Sequence, residues 1–150
     1  MEPGIPFLLM THLCFASGNK WEVIGMFVVL WMNDTMAYVC GRLFGRTKLF
    51  ERISPKKTWE GTIGGILFAL AGGFVWATFL SDLPLAFWLI ASPLIALGAI
   101  FGDLFESQLK RQLGVKDSGN ILPGHGGILD RFDAAFMAIP IFYALWMIYR

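Results

Sequence analysis

Residues 107–133 read SQLKRQLGVKDSGNILPGHGGILDRFD, a polar, two-signed segment set between long apolar runs. Lys110, Arg111, Lys116, Arg131 and His125 stand there with Asp117, Asp130 and Asp133 around the glycine-rich turn PGHGG. Just upstream come Asp103 and Glu106. On a helix Asp103, Glu106, Ser107 and Lys110 recur at i, i+3, i+4 and i+7, so they share one face. A second basic segment covers residues 41–59, where Arg42, Arg46, Lys48, Arg52, Lys56 and Lys57 stand against Glu51 alone. Its run Ser54-Pro55-Lys56-Lys57-Thr58 offers hydroxyls and ammonium groups just ahead of a helix start, a setting that suits phosphate oxygens. An ordinary positive-inside loop looks the same.

Carboxylates crowded by lysine and arginine are costly unless something mediates between them. A hard divalent cation carrying polyphosphate would do so. Magnesium takes oxygen ligands, typically one or two carboxylates plus substrate phosphates. Lysines and the amides of a glycine-rich turn would hold the remaining phosphate charge. The chemistry this suggests is phosphoryl or nucleotidyl transfer. Neither a GxxxxGK[ST] loop nor a GxGxxG turn is present, so the common nucleotide-binding folds are not indicated. His125 has no Ser or Cys nucleophile beside it in triad fashion, and reads as a loop residue able to touch phosphate.

Composition says which elements must carry these groups. The 150 residues are 56% hydrophobic and 15% charged, with a mean hydropathy of +0.61. Soluble domains carry about a quarter charged residues, so the expectation is a membrane protein. The net charge of +1 is gathered into two loops and does not point to nucleic acid. Cys14 and Cys40 stand apart in apolar runs and read as buried free thiols. With Glu2 and Pro3 in place of a basic leader, no cleavable signal peptide is expected.

Residues 5–16 are apolar but short of the roughly 20 needed to span. They read as a short or re-entrant helix, or the end of a longer one. Residues 21–39 are long enough to span and contain Asn33 and Asp34. An ionisable group inside such a segment usually faces a partner, a cation or a wet cavity; the alternative puts Asp34 at the membrane surface. Residues 61–80 form a second span with helix-spaced small residues, and 85–105 a third carrying Gly98 and Gly102. The last covers 132–149. The expectation is an all-α integral membrane protein, a polytopic helical bundle of about four full spans plus a short N-terminal apolar helix. The two basic loops are separated by two spans and can share one side, which the positive-inside rule makes cytoplasmic.

The ordered motifs are recognisable together. Ser107, Leu109, Lys110 and Arg111, then Lys116-Asp117-Ser118-Gly119, Leu122 through Gly127 and Asp130-Arg131-Phe132-Asp133 resemble the signature of the phosphatidate cytidylyltransferases, or CDP-diacylglycerol synthases. Upstream, Asn33-Asp34-Thr35, Ala37-Tyr38 and Gly41, the SPKKTWEG run, and Gly102-Asp103-Leu104 with Glu106-Ser107 extend the resemblance from about Trp31 onward. It implies that CTP and phosphatidate give CDP-diacylglycerol and pyrophosphate, in one membrane-embedded catalytic domain over residues 1–150. Family members are usually longer, with several more spanning helices ahead of the region matched. The resemblance makes Asp103 and Asp130 the leading metal ligands for Mg2+, with a second, monovalent cation such as K+.

Around these two, Lys110 and Asp117 complete the expected catalytic set. Lys56, Lys57, Lys110, Arg111, Lys116 and Arg131 would bind phosphates, with Ser54, Thr58, Ser107 and His125 lending polar contacts. Asp117 and Asp133 would support the metal or the lysines. Asn33 and Asp34 would line the polar cavity, while Gly126 and Gly127 would let the backbone approach the triphosphate. Expected partners are CTP, phosphatidate, the lipid bilayer and a second copy of the chain in a homodimer, and no nucleic acid. The expected setting is a bacterial-type inner membrane, with the site on the cytoplasmic face. The alternatives are a CTP-dependent enzyme for another lipid phosphate or a lipid kinase, an ion transporter using Asp34 and Asp103, and a fragment that only packs against a partner.

Overall fold

The computed structural model describes residues 4–16, 20–50, 54–112 and 129–149. In chain order these form α1 (Gly4–Ala16), α2 (Lys20–Phe44), β1 (Lys48–Phe50), β2 (Ser54–Thr58), α3 (Trp59–Phe79), α4 (Leu85–Gln112) and α5 (Leu129–Tyr149). α2, α3 and α4 are each long and apolar enough to cross a bilayer. α5 runs for 21 residues, with its apolar stretch at Ala134–Tyr149. α1 is apolar and short, at 13 residues. The helical membrane bundle expected from composition is what the chain forms. Its large apolar side chains face outward along the helices, among them Phe15, Trp31, Leu67 and Phe79, as lipid-facing surfaces do.

The helices pack in series, α2 on α3, α3 on α4 and α4 on α5, with α1 against α5. In lipid little water is left to expel, so association depends on close packing and on small residues that let backbones meet. Gly61 and Gly65 do this for α3. A Cβ on Gly61 would lie 2.6 Å from the Ala37 carbonyl oxygen, and one on Gly65 would lie 2.8 Å from that of Asn33. The α3 backbone thus rests directly on α2 beside Asn33 and Ala37.

The other end of the bundle is held by large side chains. Met26 and Val29 of α2, Phe87 and Trp88 of α4, and Phe142 of α5 are fully buried. Phe87 meets Phe142 and Trp88 edge-on, with ring centroids 5.4 and 5.6 Å apart, a favoured aromatic geometry. A polar knot closes the same end. The buried Glu22 carboxylate accepts from Ser81 Oγ at 3.1 Å and from the Asp82 N–H at 3.3 Å. Ser81 Oγ in turn accepts from Trp88 Nε1 at 2.7 Å, which ties the α3–α4 turn to the head of α2.

Four boundaries differ from the sequence reading. α2 continues beyond residue 39 to Phe44, because Gly41 faces Thr58 and Gly61, where a bare backbone packs best. The expected basic loop therefore begins as helix and continues as an antiparallel hairpin, pairing Lys48 with Thr58 and Phe50 with Ser54. α4 continues through residue 105 to Gln112, and α5 starts at Leu129, so Asp130, Arg131 and Asp133 lie in its first turns. Cys14 and Cys40 are free thiols but only half-buried.

Candidate active site

A cavity of about 440 Å3 opens at the hairpin end of the bundle. α2 supplies its longest wall in three pairs, Asn33 with Asp34, Ala37 with Tyr38, and Gly41 with Arg42. The pairs recur every four residues, which keeps them on one helical face. β2 adds Lys56, Lys57 and Thr58, α3 adds Thr62, α4 adds Ala99, Ile100 and Asp103, and α5 adds Ala134.

Local chemistry fixes the lysines there. Thr58 is the N-cap of α3, with φ −124° and ψ 153°, and its side chain accepts the Gly61 N–H at 3.2 Å. Glu60 in the first turn accepts the Thr47 N–H at 3.1 Å, and the Trp59 N–H donates to the Thr47 carbonyl at 3.0 Å. The strand carrying Lys56 and Lys57 is thus tied to α3 at its end and to the segment after α2. Lys57 is half-buried, and its ammonium forms an ion pair with Asp103. The other oxygen of Asp103 accepts from Ser107 Oγ one helical turn on, at 3.4 Å.

On the facing wall Asn33 Nδ2 donates to Asp34 Oδ1 at 3.1 Å, while the buried Asn33 Oδ1 has no hydrogen-bond partner among the described residues. Asp34 is exposed. Arg42 Nη1 donates to the Tyr38 hydroxyl at 3.5 Å.

The residues singled out in the sequence divide into four groups. Asn33, Asp34, Lys56, Lys57, Thr58 and Asp103 line one cavity, and Ser107 joins it through Asp103. Ser54 opens β2 and Arg111 is exposed near the end of α4, both away from the lining. Lys110 lies on α4, and Asp130, Arg131 and Asp133 lie on α5 next to the cavity-lining Ala134. Lys116, Asp117, His125, Gly126 and Gly127 lie outside the described residues. The polar face expected on α4 is divided, with Asp103 partly open and Glu106 buried. Tyr38 and Arg42 are cavity residues that the sequence reading gave no role. Their signal was present in the four-residue steps from Asp34 to Tyr38 to Arg42.

The described walls suit a hard cation. Asp34, Asp103, Asn33 and Ser107 offer carboxylate, amide and hydroxyl oxygens, the donors magnesium takes, and phosphate oxygens would complete its shell. Among the described residues no group of three His, Cys, Asp or Glu could hold a metal by itself. The arrangement can therefore hold phosphates against lysine and arginine, next to carboxylates able to share a cation with them.

A helical membrane protein with a two-signed polar cavity at one end of its bundle is the class that these features define. The chain belongs to the cytidylyltransferase family, whose model matches residues 3–149. It is 46% identical over 140 residues to the phosphatidate cytidylyltransferase of Staphylococcus saprophyticus, covering 92% of this chain and 53% of that protein. With the enzyme of the same name from Rickettsia felis it shares 39% identity over 147 residues, 93% of this chain and 64% of that one. The resemblance read from the motifs therefore holds. The chain spans about half the length of the staphylococcal relatives it matches. Among solved structures it is similar to one described as an intramembrane enzyme for archaeal membrane lipids biosynthesis. That match has a TM-score of 0.56 at 26% identity, over 79% of this chain and 76% of the other.

Proposed function

We propose that this chain carries the catalytic part of a phosphatidate cytidylyltransferase, which makes CDP-diacylglycerol and pyrophosphate from CTP and phosphatidate. The observation that supports it most is the convergence of Asp34, Arg42, Lys56, Lys57 and Asp103 on one cavity at the end of a membrane bundle. The phosphate of phosphatidate is already a nucleophile, so no strong general base is needed. One of its oxygens would form a new bond to the α-phosphorus of CTP. The bond from that phosphorus to the oxygen bridging toward the β-phosphate would break, and pyrophosphate would leave with the electron pair.

Catalysis then consists of alignment and of stabilising charge that builds on the phosphoryl oxygens. Lys56 and Lys57 hold triphosphate oxygens at the head of α3, and Thr58 holds the strand that carries them. Asp103 and Asp130 are the metal ligands in this reading, with Asp34 and Ser107 in support. Magnesium, when bound, would neutralise phosphate oxygens as a Lewis acid. Lys57 already provides one positive charge at Asp103. Lys110, Asp117, Lys116, Arg131, Asp133, His125, Gly126 and Gly127 keep the supporting parts given them above, as does a K+ beside the magnesium.

The same proposal sets the cavity on the cytoplasmic face of a bacterial inner membrane, since Arg42, Arg46, Lys48, Lys56 and Lys57 gather at its end. Pairing with a second copy of the chain belongs to it as well. The test is CTP- and magnesium-dependent formation of CDP-lipid by the purified chain in vesicles, offered phosphatidate beside other lipid phosphates. Replacing Asp103→Asn or Asp130→Asn is expected to lower turnover about 100-fold or more, the scale of removing one group that stabilises transition-state charge. Near-full activity in both variants would sink the metal assignment. Pyrophosphate release with a different lipid phosphate alone would move the chain to a related CTP-dependent enzyme.

A further inference from the structure

The cations of the cavity stand on two walls and are differently engaged. Lys57 is paired with Asp103 on the side of β2 and α4. Arg42 lines the cavity from α2, and its hydrogen bond is to the Tyr38 hydroxyl one turn below, at 3.5 Å. Among the described residues it has no carboxylate partner within ion-pair distance. Its place is fixed by packing, because the neighbouring Gly41 brings the α2 backbone against Thr58 and Gly61. The backbone that carries Arg42 is thus fixed, and its exposed side chain lines the cavity.

The surroundings of this pair indicate what anion it meets. Tyr38 is 66% exposed and Trp31, two turns deeper on the same outward stripe of α2, is 73% exposed. Exposed Tyr and Trp side chains on a spanning helix are typical of interfacial depth in a bilayer. Among the polar and charged groups of the cavity next to it stand a few small apolar ones, Ala37, Ala99 and Ala134. A soluble nucleotide has no need of an aromatic, lipid-level approach. A phosphomonoester anchored by acyl chains does, because its phosphate is confined to that depth. Arginine also suits the task. Its planar fork bonds phosphate oxygens bidentately and keeps its charge in any surroundings.

We infer that Arg42, with the Tyr38 hydroxyl, forms a subsite for the phosphomonoester headgroup of the membrane lipid, distinct from the lysine wall that takes the triphosphate. This rests on the proposed reaction, in which two phosphorylated ligands must meet in one cavity. Two anions approaching each other repel, and separate cations on different elements, Arg42 on α2 and the lysines on β2, reduce that repulsion.

The test uses the full chain in vesicles of defined phosphatidate content. Arg42→Gln is expected to raise KM for phosphatidate about tenfold or more and to leave KM for CTP within about twofold, as loss of a charge-assisted contact to one substrate should. Arg42→Lys should recover part of the loss, and Tyr38→Phe should shift KM in the same direction by less. An equal rise in both KM values, a rise for CTP alone, or no change in either overturns the assignment.

A second arm measures binding of a fluorescent short-chain phosphatidate to the detergent-solubilised chain, with CTP and magnesium withheld. Binding that Arg42→Gln weakens, and that unlabelled phosphatidate displaces while diacylglycerol and inorganic phosphate do not, supports the subsite. Displacement by inorganic phosphate as effective as by lipid overturns the lipid assignment. If the unaltered chain makes no CDP-lipid yet binds the probe through Arg42, the proposed reaction fails and the subsite stands. If it turns over while Arg42→Gln binds probe as well as the unaltered chain, the subsite fails and the reaction stands.

Discussion

The Thr58 hydroxyl accepts the Gly61 N–H at 3.2 Å, and its carbonyl accepts the Thr62 hydroxyl at 2.9 Å. The same side chain fills the space beside Gly41 and Gly45. The residue before it, Lys57, holds Asp103. A cap and a cavity-lining ammonium are thus one peptide apart, and loss of the first should disturb the second. Thr58→Ala is expected to cost about 1 kcal/mol of stability and to lower turnover about tenfold or more, since small misplacements of a positioning group are costly. Thr58→Ser keeps the acceptor oxygen and should stay close to the original in both. Thermal unfolding in detergent and CDP-lipid formation read the two effects. A Ser variant as impaired as Ala would assign the loss to the missing methyl group and leave the cap without a role in the site.

Between α2 and α3 the glycines are not equivalent, and what each faces predicts how it tolerates a side chain. A Cβ on Gly61 would lie 2.6 Å from the Ala37 carbonyl oxygen and 2.9 Å from the Gly41 Cα, both backbone atoms that cannot turn aside. A Cβ on Gly72 would lie 2.5 Å from the Met32 sulfur, near the end of a flexible side chain. Gly61→Ala should therefore cost about 2 kcal/mol by overpacking and impair the site, whereas Gly72→Ala should cost less than about 1 kcal/mol and leave turnover intact. Denaturant unfolding of both variants, read with CTP-dependent turnover, checks the order; equal losses would contradict the backbone contact at Gly61. The spans themselves were legible because long apolar runs are a strong signal. The last turn of α2 was not, because Gly41-Arg42-Leu43-Phe44 mixes charge and apolar groups and reads as loop. Strands of three and five residues carry too little period to be seen, and Pro55 argues against a strand in sequence. Lys57 and Asp103 were legible by type, but not their pairing. Arg42 was counted as an orientation signal, and its shared helical face with Asp34 went unused.

Across the whole molecule the two ends are built from different materials. One holds the aromatic core and the Glu22, Ser81 and Trp88 knot, which fix the α3–α4 turn on the head of α2. The other holds the hairpin, the ion pair and the cavity, which residues of α2, β2, α3, α4 and α5 line. The rigid end positions α2 and α4 so that Asp34 and Asp103, separated by 69 positions in the sequence, line the same space. Because α3 leaves the hairpin and α4 returns from the turn near Ser81, the hairpin and that turn must lie on opposite membrane faces. The proposed function needs the hairpin side in the cytoplasm, where a nucleoside triphosphate is available, and its positive charge is what supports that orientation. In a Cys14→Ala, Cys40→Ala background, Asp82→Cys is expected to react with a membrane-impermeant maleimide in intact spheroplasts. Thr47→Cys should react only once the membrane is permeabilised. The inverse pattern would put the lysine wall outside, away from any CTP supply, and the proposed reaction would fall with it. Labelling of both from one side would instead contradict α3 and α4 as spans.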